Sequence, residues 1–198
     1  MRHKGKTNPP GRQKIIKALI SLMDNKNFYT ITTAEIAETA GVTEGLIYKY
    51  FKDKNDLLYQ VLHLHFLEFH DEVVKQIEAC DSCMEKLETI IRASLESYTA
   101  NRVFAKILLL EVRNSPSYFE SDAYDIVRAY STTILKIIEE GIASGELRQE
   151  TDPHALRKTL LGAIEHGCLG EVIFGRELNV DEITSAITHI LFYGVKNI

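Results

Sequence analysis

The chain has little cysteine. Cys80, Cys83 and Cys168 are its only three, too few for a disulfide scaffold. Cys80 and Cys83 form a single C-x-x-C, whereas a four-ligand zinc site needs a second pair and a redox motif needs a βαβ context that the pattern lacks. They read as incidental thiols in a helix connection. Long apolar runs are also missing. The stretch 159–174 is broken by Glu165, His166 and Glu171, well short of the roughly 20 apolar residues of a membrane-spanning helix. The charged N-terminus has no apolar segment behind it, so no secretory signal is expected and a cytoplasmic location follows. No phosphate-cradling glycine loop and no nucleophile–base pairing stands out. Tyr50 and Lys54 form a Y-x-x-x-K without the glycine-rich turn that would give it meaning. Neither an enzyme nor a cofactor is therefore expected. His63 and His65 point about 200° apart on a helix, and His63 and His70 lie two turns apart, so no metal is expected there either.

What the chain does have is helical periodicity throughout its 198 residues, 45% of them hydrophobic, with no convincing alternating strand. The spacing predicts amphipathic helices over 12–25, 32–40, 44–51, 54–79, 84–100, 103–113, 119–143, 153–174 and 181–196. The fold class expected is all-α: three small helices (residues 1–56), then a larger helical bundle (residues 57–198). The net charge of −5 hides an asymmetry: residues 1–60 carry ten Lys/Arg against six Asp/Glu, and the rest thirteen against twenty-two. Arg2, Lys4, Lys6, Arg12, Lys14 and Lys17 have no acid among them. A basic module joined to an acidic one points to a nucleic-acid-facing first part, with an arm suited to phosphates.

The block TTAEIAETAGVTEGLIYKYFKDK, residues 32–54, is the most informative. Thr32 and Glu35 make an S/T-x-x-E capping box, which starts a helix. Gly41 suits a left-handed turn, and Thr43 is the N-cap candidate of a second helix. Leu46, Ile47 and Phe51 can point inward, leaving Glu44, Gly45, Tyr48, Lys49 and Tyr50 outside. A helix-turn-helix with a small residue early in its second helix is shaped for a DNA major groove.

The start GRQKIIKALISLM, this block with NDLL after it, and the helix order together resemble the TetR family of transcriptional regulators, with the motif match confined to about 12–58. The run LLLEVRNSP and the downstream IIEEGIASGEL are similar to the acyl-CoA-responsive FadR branch. The resemblance implies a homodimer on a palindromic double-stranded DNA operator, released when a small molecule binds the larger domain.

Residue roles follow from chemistry, with the family pattern in support. Tyr48, Tyr50, Thr33 and Lys54 are placed at phosphates, and Thr43, Glu44, Gly45 and Lys49 at base edges, Glu44 reading equally as a first-turn acid that complements the helix dipole. For the effector, Phe66, Phe69, Leu95 and Tyr98 are candidate linings, as are Phe104, Leu108, Tyr118, Phe119, Tyr124 and Tyr130. Arg102, Lys106, Leu109 and Arg113 fall on one helical face, which reads either as a solvated basic face or as three cations for an anionic effector group. The expected effector is an acyl-CoA or similar amphipathic metabolite. The alternatives are a drug-like or aromatic hydrophobe, or an architectural DNA binder with no effector. Dimerisation is expected through the last two helices, with Gly162, Ala163, Gly167 and Gly170 as a close-contact seam.

Overall fold

The computed structural model describes residues 9–194. The basic positions Arg2, Lys4 and Lys6, and the expected helix end at Lys196, lie outside the described residues. Among the described residues nine α-helices follow one another without a strand. Contacts divide the chain into two compact units, one ending at Leu64 and the other beginning at His65.

In the first unit, helix α1 (Pro10–Met23) buries Ile15, Ile16, Leu19 and Met23 along one stripe. Phe28 and Ile31, in the connection that follows, are 3% and 1% exposed and plug the small core. Helix α2 (Thr33–Ala40) starts at the expected capping box: the Glu35 N–H donates to Thr32 Oγ1 at 3.1 Å, and the Thr32 N–H to Glu35 Oε2 at 2.8 Å. It ends at Gly41, whose φ of 62° is left-handed. Helix α3 (Glu44–Tyr50) buries Ile47, and Phe51 is buried just after it. Helix α4 (Lys54–Glu78) begins where the Asp56 N–H donates to Asp53 Oδ1. Each fully buried Ile, Leu or Phe contributes about 1.5–3 kcal/mol relative to exposure.

The second unit takes the rest of α4 and five more helices. These are α5 (Cys83–Ala100), α6 (Arg102–Lys106), α7 (Asp122–Ser144), α8 (Pro153–Phe174) and α9 (Val180–Tyr193). Their core centres on Ile90, Ile91, Leu95, Ile134, Ile138 and Ile164. Ser82 and Glu85 form a second capping box at α5, and Asp152 caps α8 ahead of Pro153.

Two expected helices differ. A single helix over 103–113 does not form: α6 stops at Lys106, a wide π-turn runs Ile107–Glu111, and tight 3₁₀ turns follow. A π-turn closes its hydrogen bonds one residue further on than an α-turn, so residues beyond it are rotated off the earlier face. The shared basic face of Arg102, Lys106, Leu109 and Arg113 is therefore lost. Helix α7 begins at Asp122, three residues later than expected, because the Ser121 hydroxyl accepts the Tyr124 N–H and caps it there.

Candidate functional site

In the first unit, α2 and α3 are tied at the end that carries the expected DNA-facing residues. The Thr33 hydroxyl donates to Glu44 Oε1 at 2.7 Å and lies 3.5 Å from the Tyr48 hydroxyl. Glu44 thus has a structural partner before any base is considered. Thr43 holds the extended N-cap backbone of α3, but its side chain makes no capping bond. Gly45 faces open space: a Cβ there meets nothing within 4 Å. Tyr48 is 56% exposed and Lys49 is exposed beside it. These positions form a face that the described residues leave exposed. Tyr50 is half-buried, with its ring 3.6 Å from the Cβ position of Gly11, so it braces α3 on the start of α1. Arg12 lies over the Phe51 ring and donates to Gln60 at 2.6 Å.

Lys54 departs from its expected role. Its ammonium donates to the carbonyls of Phe28, Tyr29 and Ile31 at 3.0, 3.3 and 2.7 Å, and it sits 4.6 Å from the Phe28 ring centroid. An ammonium has three N–H groups, and all three are engaged. In this conformation Lys54 holds the α1–α2 connection and has no donor left for a phosphate. Burial pushes its pKa down.

In the second unit, residues of α4 to α8 bound a cavity of ≈ 390 Å³, within the range of small-molecule sites. Phe66, Phe69, Tyr98 and Arg113, all expected at the effector, line it, as do Phe104, Leu108, Tyr124 and Tyr130. Leu95 instead lies in the core at 0% exposure. Arg102 donates to the Glu171 and Val172 carbonyls at 3.1 and 3.3 Å, closing the end of α8, and Lys106 is exposed. Tyr118 is buried and Phe119 is 45% exposed, both edge-on to Tyr124 rather than lining the cavity.

The wall that the sequence reading missed is α8. Arg157, Leu161 and Glu165 line the cavity at steps of four residues, a polar–apolar–polar stripe visible in the spacing once α8 is taken as a wall. Glu165 receives a two-pronged bond from Arg113, Nη1 to Oε2 at 2.8 Å and Nη2 to Oε1 at 2.6 Å. His70 Nε2 and Arg157 Nε are buried in the same lining with no hydrogen-bond partner among the described residues. Tyr130 donates to Ser94 at 2.6 Å, since the Ser94 hydroxyl itself donates to Ile90 O. Burial pushes the Tyr98 and Tyr130 phenols up, so both stay neutral. The result is an aromatic chamber with a few convergent polar atoms and an excess of arginine.

Ile173 and Phe174 on α8 and Ile190 and Tyr193 on α9 are exposed. Of the expected seam, Gly167 is already used within the chain, its Cβ position 3.3 Å from Ile183 Cγ2. Gly162 and Gly170 face open space. Among the described residues no helix is long and apolar enough to cross a membrane.

Sequence comparison matches residues 15–61 to the family described as bacterial regulatory proteins, tetR family, and residues 63–194 to the YsiA-like protein, C-terminal region. The fatty acid metabolism regulator protein of Bacillus subtilis strain 168 is 24% identical over 192 residues, which covers 97% of this chain and 99% of that protein. The crystal structure of the transcriptional regulator FadR from Bacillus subtilis in complex with stearoyl-CoA aligns with a TM-score of 0.83 at 24% identity, over 93% of this chain and 99% of that one. FadR from Bacillus halodurans aligns with a TM-score of 0.85 at 22% identity, over 98% and 100%. At these identities the structural likeness establishes the fold.

Proposed function

The chain belongs to the TetR family of bacterial regulatory proteins, and we propose that it is a homodimeric transcriptional repressor released from its operator by a long-chain acyl-CoA. The observation that carries the effector is the aromatic, arginine-bearing cavity of the second unit, in a chain similar along its length to a fatty acid metabolism regulator. An acyl chain buries methylenes against Phe66, Phe69, Phe104 and Tyr130, at about 0.8 kcal/mol each. The anionic portion of the effector is matched by Arg157 and Arg113, and the orphan His70 Nε2 and Arg157 Nε provide polar partners for it.

Operator binding rests on the uncovered face of α3. Gly45 admits close approach to base edges, Lys49 donates to guanine, Thr43 offers an uncommitted hydroxyl, and Tyr48 serves a phosphate. Thr33 and Glu44 fix α3 on α2, and Tyr50 braces α3 on α1. Two such faces in one dimer require a pseudo-palindromic site. The dimer is assigned to α8 and α9, with Gly162 and Gly170 permitting close approach beside the exposed apolar residues at their ends. Helix α4 contributes residues to both units, from Lys54 to the cavity residues Phe66 and Phe69. It is the element through which effector and operator oppose each other, so each weakens the other by the same factor.

The test selects an operator from random duplexes with the full-length protein. Its affinity is then measured by fluorescence anisotropy with stearoyl-CoA, stearate or CoA added. The expected result is a palindromic site released by stearoyl-CoA and by neither fragment at equal concentration. Release by CoA alone, or no release by any acyl-CoA, overturns the effector assignment and leaves operator binding standing.

A further inference from the structure

We propose that the stacked rings of His65 and Phe104 close one end of the cavity and set the length of acyl chain it accepts. The inference rests on the acyl-effector reading above. His65, Phe69, Ser97 and Asn101 line the cavity and also line a separate groove of ≈ 490 Å³ between α4 and α5. The wall there is a single layer of side chains. His65, which faces both spaces, is backed on the cavity side by Phe104, with ring centroids 4.2 Å apart and planes 17° from parallel. Burial pushes the His65 pKa down, so at neutral pH the stack is two uncharged rings with little polarity toward the cavity.

The two sides of this wall differ in charge. The groove beyond it carries Glu68, Glu72 and Glu96 and no lysine or arginine in its lining. The cavity side carries Arg113, Arg128 and Arg157 against one carboxylate, Glu165. An anionic head group is drawn to the arginines of α7, α8 and the turn after the π-helical segment, and is repelled from the groove. The end of the ligand that meets the His65–Phe104 stack is therefore the hydrocarbon terminus. Each methylene added inside the cavity strengthens binding about fourfold. Further carbons must separate the rings and enter an open, acidic groove, where that gain stops.

The test is calorimetry of the full-length protein with saturated acyl-CoAs of increasing length, for wild type, Phe104→Ala, Phe104→Leu and Arg157→Gln. Wild type is expected to gain about fourfold per methylene up to a break and then level or fall. Phe104→Ala is expected to move the break to longer chains by at least two carbons, while Phe104→Leu, which keeps the wall filled, moves it less. Arg157→Gln is expected to weaken every length by a similar factor without moving the break. Should Phe104→Ala not fold, His65→Ala removes the other half of the stack and carries the same expectation. An unchanged break in a folded Phe104→Ala or His65→Ala protein overturns the proposal while leaving the acyl-CoA reading intact. A break moved by Arg157→Gln overturns the orientation. Failure of wild type to bind any acyl-CoA overturns the effector reading and this proposal together.

Discussion

In the DNA-facing unit the decisive contacts join residues close in sequence, whereas in the effector unit they join residues far apart. Thr32 and Glu35 are three positions apart and Thr33 and Glu44 eleven. Arg113 and Glu165 are 52 apart, Ser94 and Tyr130 are 36 apart, and Cys83 meets the Ile137 carbonyl across 54. A short-range contact is written in local spacing and can be read directly. A long-range one depends on how helices stack. Operator reading therefore sits on a rigid local motif, while effector selection sits on packing, where single substitutions reshape a cavity without erasing the fold.

Substitutions that isolate one kind of contact sharpen this contrast. The largest stability effect is expected at Gly141, where α7 crosses α5. A Cβ there would lie 2.4 Å from Cys83 Sγ and 3.0 Å from Cys83 Cβ. Gly141→Ala is expected to destabilise by about 1–3 kcal/mol through overpacking. Adding Cys83→Ala should restore much of that in denaturant unfolding. Rescue shows that the cost is this one long-range contact; a cost that persists in the double variant places it elsewhere.

Lys54, like Arg12, which reaches Gln60 across 48 positions, is a long-range clamp beside the local contacts of the first unit. Lys54→Gln is expected to cost roughly 1–2 kcal/mol, below the usual value for hydrogen bonds to a buried charge because the group is only partly covered. If the variant unfolds like wild type yet binds operator poorly, the lysine belongs to DNA after all, and the carbonyl cage is incidental.

Thr32→Ala removes one cap and is expected to cost about 1 kcal/mol. The same box makes stability depend on acid. The Lys26 ammonium, then the Thr32 N–H and hydroxyl, hold the Glu35 pKa down from 4.5 to about 2. This contribution is complete above pH 4.5 and fades as pH falls toward 2. An acid titration should show that dependence weakened in Glu35→Gln.

The smallest stability effect, and the sharpest separation of stability from function, is expected at Gly45. Its Cβ position is open, so Gly45→Ala should leave stability unchanged or raise it by up to about 1 kcal/mol. Operator affinity should nevertheless fall at least tenfold, because the added methyl stands where a base edge is expected. Normal operator binding by this variant would move base reading away from the start of α3.

The same contrast decides what the sequence revealed. The capping box at Thr32, the left-handed Gly41, the plugs Phe28 and Ile31 and the exposed positions Glu44, Gly45, Tyr48 and Lys49 were all readable from spacing. So were Phe66, Phe69 and Tyr98 as aromatic linings, because helical periodicity faced them inward. The π-turn at Ile107–Glu111 has no marker among its residue types, and by rotating the chain it removed the basic face that spacing alone had predicted. Arg113 still lines the cavity, but its partner Glu165 showed in the sequence only as an interruption of an apolar stretch. The bonds of Lys54 were hidden for the opposite reason: its residue type fits a phosphate, while the carbonyls it serves lie 23 to 26 positions away.

The central claim is that the local DNA-reading motif and the long-range cavity are coupled. The direct measurement is the affinity of stearoyl-CoA for the free dimer and for the dimer saturated with its operator, set beside operator affinity with and without stearoyl-CoA. The account predicts that each ligand weakens the other by the same factor, at least tenfold. Equal stearoyl-CoA affinity for the free and operator-bound protein would contradict it.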